Sequence, residues 1–286
     1  PQRALVGYEG PYVIQQHRQY RPMAVVSSTC LAVKPLGIDL DHWFDLKATY
    51  KPSVLRDFGV SERQPFILSV DRADYTKSVC ERIQIIDKFF ERNPDWKERL
   101  SFIQVCSRTR PGLHAFDQYW HKCRDYCDKL NEKWKTESWK PLLWIDKLLP
   151  KEKLSPLYHR ATAMLINPVR DGLNLTAKEY VACQDQDPGV LLLSPGAGAW
   201  HELGKYALPA HPHEQEQTVR SIERALNMST HERQERNSAM KTVLRANDLK
   251  HWWSFFSHQA KTLRRNAHAL PTTAAIAAIE EQKVSA

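Results

Sequence analysis

The sequence predicts an α/β fold in which helices cover both faces of a doubly wound parallel sheet. Short, continuously apolar runs such as FILSV at residues 66–70 indicate strands that are buried on both faces. Each run is followed by a longer segment whose apolar residues recur at helical spacing, as at residues 79–93. The joints between these segments are short, which is typical of right-handed strand–helix–strand crossovers.

Strands and helices alternate from Pro65 onward. We predict strands over residues 66–70, 100–106, 141–145, 163–169 and 189–194. We predict helices over residues 79–93, 113–134, 151–160, 174–184, 214–228 and 231–246. Upstream, residues 23–26 and 31–38 are predicted to form two short strands around a turn. The Ala-rich C-terminal tail is expected to fray or to form a loose helix.

Composition places the chain among ordinary globular proteins and predicts a cytoplasmic location. The 286 residues are 42% hydrophobic and 26% charged, and no apolar stretch reaches the roughly 18 residues that a membrane helix needs. We therefore expect no membrane partner. The first residues show no secretion signal. Six Cys are too few and too scattered for a disulfide framework, which favours a reducing compartment.

Two features of the composition could indicate other ligands. His121, Cys123 and Cys127 could in principle hold a metal, but no second ligand pair follows, so we interpret these thiols as buried and predict no metal site. The net charge of +8 suits polyanions, including DNA and RNA. Lys and Arg are nevertheless interspersed with Asp and Glu almost everywhere, so we expect no nucleic acid partner.

The loop after the first predicted strand contains two cations. In doubly wound sheets, ligands bind beyond the carboxyl ends of the strands. Arg72 and Lys77 lie between such an end and the start of helix 79–93, whose first amides add partial positive charge. This arrangement indicates a diphosphate site that needs no metal. The alternative is a pair of surface cations bound to Asp71, Asp74 or Glu81.

The loop after strand 163–169 is predicted to complete the site. Gly172 would permit close backbone approach, Asn174 would cap the next helix, and the free amides of residues 172–175 would bind an anion. Asp171 could hold sugar hydroxyls, and Glu179 could accept hydrogen bonds from a ribose.

Two further loops offer less specific features. Arg108 and Arg110 could bind a phosphate on a second substrate or could face solvent. Residues 194–204 form a small-residue turn before Trp200 and His201, and small residues let a backbone approach a ligand closely. His201 is a candidate general base or a structural histidine. The roles of Trp200 and His201 stay open.

Three long motifs resemble those of the trehalose-6-phosphate synthase family, family 20 of the retaining glycosyltransferases. They are SVDRADYTKS (69–78), PVRDGLNLTAKEYVA (168–182) and GVLLLSPGAGAWHEL (189–203). They occur in the family's order and at its spacing within residues 20–260. The resemblance implies the GT-B fold, with a C-terminal Rossmann-like domain and the end of an N-terminal domain.

The resemblance also implies roles for individual residues. Arg72 and Lys77 match the ligands of the donor's diphosphate, and Asp171 matches the residue that touches the donor sugar; these three are our catalytic candidates. The other donor-binding candidates are Gly172, Leu173, Asn174, Leu175 and, for the ribose, Glu179. Arg110 falls where the family binds the acceptor's phosphate.

The implied substrates are a nucleotide-linked donor, with GDP the expected nucleotide, and a phosphorylated acceptor. The family needs no metal and no cofactor. The implied reaction is front-face transfer with retention, in which the leaving phosphate deprotonates the acceptor. Guanine or uracil preference is not evident from the sequence.

Several motif positions differ from the family pattern, mostly towards the sugar and acceptor. Ser78 and Leu173 replace a Gly and a Met, and the segments CSRTR (106–110), WIDK (144–147), PGAGA (195–199) and LPAHPH (208–213) also depart. This is similar to the validoxylamine A 7′-phosphate synthases, pseudo-glycosyltransferases that join GDP-valienol to validamine 7-phosphate and release GDP. The alternative is a trehalose-6-phosphate synthase that transfers glucose from UDP- or GDP-glucose to glucose 6-phosphate.

The resemblance predicts a domain order. Residues 1–60 would be the last part of the N-terminal acceptor domain, and residues 61–245 the nucleotide-donor domain. Residues 246–265 would form a crossing helix and residues 266–286 a tail. The rest of the N-terminal half is an expected partner, and a homo-oligomer stays open.

Overall fold

The computed structural model describes residues 12–15, 28–31, 33–48, 53–56, 58–59, 61 and 64–269. The chain divides into two compact units, one formed by Gly37–His251 and the other by Pro1–Leu36 with Trp252–Ala286. In the second unit, strand β1 (Tyr12–Gln15) pairs antiparallel with strand β2 (Ser28–Leu31).

The N-terminal strand predictions are only partly testable. Residues 23–26 lie outside the described residues. The prediction of a strand over residues 31–38 is wrong, because β2 ends at Leu31 and residues 33–38 are irregular. Pro35 has no N–H to donate to a neighbouring strand, which accounts for this difference.

The unit Gly37–His251 is built on one parallel sheet, as predicted, and this sheet has six strands rather than the five predicted. Its strands are β3 (Phe66–Arg72), β4 (Ser101–Ser107), β5 (Leu142–Ile145), β6 (Ala163–Ile166), β7 (Val190–Leu193) and β8 (Leu208–Pro209). Their order is β5-β4-β3-β6-β7-β8, the doubly wound order in which the first strand of the sheet lies at the centre. The predicted fold class is therefore confirmed. The two-residue strand β8 was not predicted.

Ten α-helices are described. They are α1 (Leu40–Ala48), α2 (Ser53–Arg56), α3 (Val79–Arg92), α4 (His114–Trp134), α5 (Lys151–Arg160), α6 (Leu175–Cys183), α7 (Trp200–Leu203), α8 (Gln215–Leu226), α9 (Thr230–Ala246) and α10 (Leu249–Ala269). The six predicted helices are confirmed to within two residues, whereas α1, α2 and α7 were not predicted. Within the described residues, no helix combines the length and the apolar character needed to cross a membrane.

The strands are apolar throughout because both faces of the sheet are covered. Two successive residues of β3 illustrate this, because they point to opposite faces of the sheet. Ile67 belongs to a core with α3, α4 and α8, and Leu68 belongs to a core with α1, α5 and α6. Both side chains are fully buried. Burial of this kind stabilises the fold by about 25 cal/mol for each Å² of apolar surface removed from water.

Cysteines contribute to the core on the α3–α4 side. The five cysteines whose side chains are described are buried and free, and Cys123 and Cys127 pack between α4 and the sheet. The interpretation of these two as buried thiols is confirmed. The Sγ atoms of Cys80 and Cys123 lie 3.5 Å apart.

Helix α1 packs within the sheet-containing unit. Trp43 lies against Tyr158 of α5, with ring centroids 5.7 Å apart, and is 4% exposed. The assignment of residues 1–60 to an acceptor domain and of residues 61–245 to a donor domain stays a prediction, as do the crossing helix and the tail.

Candidate functional site

A cavity of about 440 Å³ opens at the carboxyl edge of the sheet. Its walls come from the ends of β3 and β4, the segment after β5, helix α5 and the start of α6. The lining residues are Val70, Asp71, Arg72, Lys77, Val105, Ser107, Lys147, Leu148, Leu149, Leu154, Tyr158, Asp171, Asn174, Leu175, Thr176 and Glu179. The volume is in the range of small-molecule sites.

The cavity brings together most of the residues that were predicted to bind a donor. Those that line it are Arg72, Lys77, Asp171, Asn174, Leu175 and Glu179. Gly172, Leu173 and Arg110 are not among the lining residues. The contribution of each residue to ligand binding stays a prediction.

A short 3-10 turn positions Lys77. The turn spans Tyr75–Lys77, and the carboxylate of Asp74 caps it by accepting hydrogen bonds from the Thr76 amide at 3.0 Å and the Thr76 hydroxyl at 2.9 Å. The Val169 amide donates to the Thr76 carbonyl at 3.0 Å and to the Ser78 hydroxyl oxygen at 3.1 Å. The turn is therefore fixed to the loop that follows β6.

The sequence left open that the two cations of this loop pair with carboxylates close to them in sequence, and the observed ion pairs do not support that alternative. Lys77 pairs with Asp171 rather than with Asp71, Asp74 or Glu81. Arg72 is exposed, and no ion pair joins it to another residue in the described part of the chain. Its guanidinium is therefore available to a ligand in the cavity.

Three groups donate to the Asp171 carboxylate. They are the Lys77 ammonium, the Leu173 amide at 3.2 Å and the Asn174 side-chain amide at 3.0 Å. Burial alone raises the pKa of Asp171, but the hydrogen bond and charge of Lys77, with the two amides, outweigh it, so the pKa lies below its ordinary value. Asp171 is therefore ionised at neutral pH, and it competes with any anion for Lys77.

We expect Asp171→Asn to tighten the binding of UDP and GDP by roughly two- to tenfold. The substitution removes a negative charge beside the cations, and unit charges 4 Å apart interact by about 1 kcal/mol even in water. Calorimetric titration of both proteins would measure the change. A loss of affinity in the Asn variant would contradict this account of the Lys77–Asp171 pair.

Asn174 starts helix α6 in the left-handed conformation. Its φ is 65°, and its side-chain oxygen accepts hydrogen bonds from the Ala177 amide at 3.1 Å and the Thr176 hydroxyl at 2.9 Å. The predicted cap is confirmed. The expectation that all amides of residues 172–175 are free is wrong, because the Leu173 amide donates to Asp171. The amides of Leu175 and Thr176 precede the first intrahelical hydrogen bonds, and both residues line the cavity.

No neighbouring protein atom requires glycine at position 172, and the close approach of a ligand to this backbone stays a prediction. A Cβ added there would meet nothing within 4 Å. Backbone atoms of the loop after β6 instead lie close to Gly196 and Gly198. A Cβ would lie 2.3 Å from the Val169 carbonyl oxygen at Gly196 and 2.1 Å from the Gly172 carbonyl oxygen at Gly198. The small-residue turn therefore lets two protein loops meet, with the Gly198 amide donating to the Asp171 carbonyl at 2.8 Å.

Glu179 also lines the cavity, one turn into α6. Its carboxylate accepts a hydrogen bond from the buried Tyr158 hydroxyl at 3.2 Å. Burial raises the pKa of Glu179, while Tyr158 and the charge of Lys151 oppose the shift. A half-buried carboxylate that accepts one described hydrogen bond retains acceptor capacity, which suits the hydroxyls of a ribose.

Glu179→Gln is expected to raise thermal stability and to weaken ribonucleotide binding about tenfold, the effect of losing one charge-assisted hydrogen bond. Because the folded-state pKa is raised, the folded protein retains the Glu179 proton to higher pH than the unfolded chain. The free energy of unfolding therefore falls as pH rises from the unfolded value of 4.5 through the folded value. Melting temperatures should diverge between the two proteins as pH rises from 4 to 7.

Binding of a 2′,3′-dideoxy nucleoside diphosphate provides the control for this substitution. The parent should prefer the ribonucleotide, and the Gln variant should prefer it much less. A constant difference in melting temperature at all pH values would contradict the burial of an ionised Glu179. An unchanged preference for the ribonucleotide would contradict its contact with ribose.

Three residues that the sequence singled out lie elsewhere. The Arg110 guanidinium lies over the Phe116 ring, 5.0 Å from its centroid, on an exposed loop. Trp200 is half-buried beside Gly204, and His201 is exposed. The acceptor-phosphate role of Arg110 stays a prediction, and Trp200 and His201 remain without an assigned role.

Sequence reasoning missed three buried charges near the cavity. Lys178 of α6 pairs with Glu202 of α7 at 2.5 Å, and their side chains are 1% and 9% exposed. Arg82 of α3 is 1% exposed and donates to Asn167, just after β6, and to Gln104, within β4. The sequence contained one signal for Arg82: two polar residues, Gln104 and Asn167, stand within otherwise apolar strand segments. Because buried polar groups require hydrogen-bond partners, these two residues indicated a buried polar partner.

Comparison with known proteins decides the family of this chain. Residues 28–262 match the profile of glycosyltransferase family 20. The chain belongs to this family. The family 20 assignment agrees with the resemblance that the three motifs indicate. The validoxylamine branch is not shown by the comparison and stays a prediction.

The similar family 20 members include a trehalose-6-phosphate synthase from Enterobacter sp. (strain 638), 32% identical over 231 residues. That match covers 80% of this chain and 48% of the relative. A bifunctional trehalose-6-phosphate synthase/phosphatase from Thermoproteus tenax is 33% identical, with 79% of this chain and 31% of the relative covered.

Solved structures agree on the fold. An α,α-trehalose-phosphate synthase (UDP-forming) from Burkholderia xenovorans in complex with glucose-6-phosphate has a TM-score of 0.80 at 30% identity, covering 89% of this chain and 55% of that one. A structure from E. coli bound with UDP-2-fluoro glucose has a TM-score of 0.79 at 29% identity, covering 87% and 55%. This family 20 chain therefore spans about half the length, or less, of these relatives.

Proposed function

We propose that this chain is the nucleotide-donor half of a retaining sugar transferase that makes trehalose 6-phosphate. The donor would be UDP- or GDP-glucose, and the acceptor would be glucose 6-phosphate. Two findings support this choice over the pseudo-glycosyltransferase: the similar relatives are named trehalose-6-phosphate synthases, and similar structures contain UDP-2-fluoro glucose or glucose-6-phosphate.

The single observation on which the proposal depends is a cavity that combines cations with a helix start. Arg72 and Lys77 line the same cavity as Leu175 and Thr176, the first residues of α6. A guanidinium, an ammonium and helix N-terminal amides all bind phosphate oxygens, and they can neutralise a diphosphate leaving group. No metal or cofactor is part of the proposal.

The remaining cavity residues would position the other parts of the donor. Asp171, next to Lys77, would accept hydrogen bonds from sugar hydroxyls, and Glu179, one turn into α6, would accept them from the ribose. As the bond between sugar and phosphate breaks, Arg72, Lys77 and the α6 amides would stabilise the growing negative charge of the diphosphate. The acceptor hydroxyl would attack from the face that the diphosphate leaves and would transfer its proton to a phosphate oxygen.

The acceptor's phosphate would bind outside the residues that line this cavity. Glucose 6-phosphate carries its own phosphate, and Arg110 is the candidate in this chain to bind it. The partner would be the rest of the N-terminal half, since the chain spans about half the length of the family members reported above.

Product analysis with the complete enzyme tests the proposal. UDP-glucose and GDP-glucose would each be supplied with glucose 6-phosphate, and the products separated by chromatography. Formation of trehalose 6-phosphate, together with UDP or GDP, is the expected result. Nucleotide binding without any product would instead indicate a nucleotide-sugar sensor, and absence of nucleotide binding would contradict the proposal altogether.

The second candidate is a validoxylamine A 7′-phosphate synthase. The observation that favours it is the concentration of departures from the family pattern in the segments WIDK (144–147), PGAGA (195–199) and LPAHPH (208–213). Such an enzyme would keep the diphosphate ligands and change the sugar contacts. Incubation with GDP-valienol and validamine 7-phosphate distinguishes the two, since a product with a C–N bond would support this candidate only.

A further inference from the structure

Arg82 is a buried arginine whose side chain joins the elements that surround the cavity. It lies in the first part of α3, and 1% of its surface is exposed. Its Nε donates to the Asn167 side-chain oxygen at 2.6 Å, after β6. Its Nη1 donates to the Gln104 side-chain oxygen at 2.7 Å, in β4. Asn167 and Gln104 are buried as well, at 0% and 2% exposure.

The same guanidinium contacts the loop that contains the two cavity cations. Its Nη2 donates to the carbonyl of Lys77 at 3.2 Å. Its Nη1 lies 2.7 Å from Oδ2 of Asp71, the residue before Arg72. That oxygen has no aligned hydrogen bond, so the contact is mainly Coulombic. Arg82 therefore contacts both ends of the loop 71–77.

The charge of Arg82 matters because Asp71 also lines the cavity. Without a partner, the buried carboxylate of Asp71 would repel a diphosphate and would compete with it for Lys77. Burial raises the pKa of Asp71, and the adjacent charges of Arg82 and Lys77 oppose that shift. When Asp71 is ionised, the guanidinium of Arg82 compensates its charge, and the ammonium of Lys77 pairs with Asp171 at the cavity wall.

We propose that Arg82 is a positioning residue for diphosphate binding, which acts through the Lys77 carbonyl and through neutralisation of Asp71. The inference rests on the proposed function, because it assumes that a nucleoside diphosphate occupies this cavity. Arg82 does not line the cavity and does not touch the ligand. A planar guanidinium with donors on three sides can satisfy these four partners together, whereas an ammonium cannot match that geometry.

A double-mutant cycle tests this inference, because coupling to Lys77 distinguishes positioning from a general structural role. UDP and GDP binding would be titrated calorimetrically for the parent, Arg82→Lys, Lys77→Met and the double variant. We expect Arg82→Lys to weaken binding about tenfold in the parent and less than about twofold in the Lys77→Met background. Equal losses in both backgrounds, or no loss in either, would overturn the inference.

Two further variants make the result interpretable. Arg233→Lys is the matched control: this arginine pairs with Asp187 at 2.6 Å, away from the cavity, and its substitution should leave binding unchanged. If Arg82→Lys does not fold, as judged by thermal unfolding, the cycle is run with Arg82→Gln combined with Asp71→Asn, which leaves no unpaired buried charge. Failure of the parent to bind UDP and GDP would overturn the proposed function as well as the inference, whereas binding with additive losses would overturn the inference alone.

Discussion

Arg72→Ala and Lys77→Ala are each expected to weaken UDP and GDP binding by about 1.5–3 kcal/mol, the range for a hydrogen bond to a charged group. This corresponds to roughly 10- to 150-fold in Kd. The loss should be greater for Lys77→Ala, because removal of Lys77 leaves Asp171 unpaired, and its carboxylate would then repel the diphosphate. Titration calorimetry at fixed ionic strength is the appropriate measurement.

Matched controls separate this effect from a general change in charge. Lys88 and Arg92 lie further along α3 and pair with Glu216, outside the residues that line the cavity. Alanine at either position should leave nucleotide binding unchanged. Adding Asp171→Asn to Lys77→Ala should restore part of the lost affinity. Unchanged affinity in Arg72→Ala and Lys77→Ala alike would remove the basis for a diphosphate site here.

Lys178→Met is expected to lower the free energy of unfolding by about 3–5 kcal/mol. The substitution leaves the Glu202 carboxylate buried without its cation, and the 2.5 Å pair is the described ion pair that joins α6 to α7. For a unit of this size the loss corresponds to a fall in Tm of roughly 6–20 °C. Urea unfolding monitored by fluorescence gives the free energy directly.

The control for Lys178→Met is the addition of Glu202→Leu. Replacing both charges with apolar groups removes the unpaired carboxylate and should restore most of the stability. The exposed pair of Lys129 and Asp125 provides a second comparison, since solvent screens it and Lys129→Met should leave the free energy of unfolding nearly unchanged. If Lys178→Met lowers the free energy of unfolding by less than about 1 kcal/mol, the expectation is contradicted, because water or another group then stabilises the Glu202 carboxylate.

Much of the fold was predictable because the sheet is buried on both faces. Runs such as FILSV have no polar alternation, and helices such as α3 have clear apolar periodicity, so the pattern identified five of the six parallel strands. Strand β8 is too short, at Leu208–Pro209, to produce a pattern. Helix α1 was missed because its stretch, LDHWFDLKA, mixes polar and aromatic residues with little periodicity.

The cavity was predictable in position but not in its pairings. The rule for carboxyl ends of parallel strands brings the loops after β3 and β6 together, and with them Arg72, Lys77 and Asp171. Sequence spacing does not reveal that Lys77 selects Asp171 as its partner, 94 residues away. That pairing depends on the depth and direction of two side chains in the folded molecule.

Buried charges and glycines were the least predictable features. Arg82 lies within a helix of ordinary amphipathic pattern, and only the fold shows that it meets Gln104 and Asn167. The small-residue turn indicated close approach to a ligand, but Gly196 and Gly198 are small because a second protein loop lies against them. A glycine indicates that another group lies close to the backbone, but the sequence does not show whether that group is a ligand or another segment of the protein.

A crystal structure of this chain with bound UDP or GDP tests the central claim most directly. We expect the diphosphate oxygens to lie within about 3 Å of the Arg72 guanidinium, the Lys77 ammonium and the first amides of α6, with the ribose hydroxyls on Glu179. Lys77 should then have moved from Asp171 towards the phosphates. A nucleotide bound elsewhere, or a diphosphate in this cavity that contacts neither cation, would contradict the account.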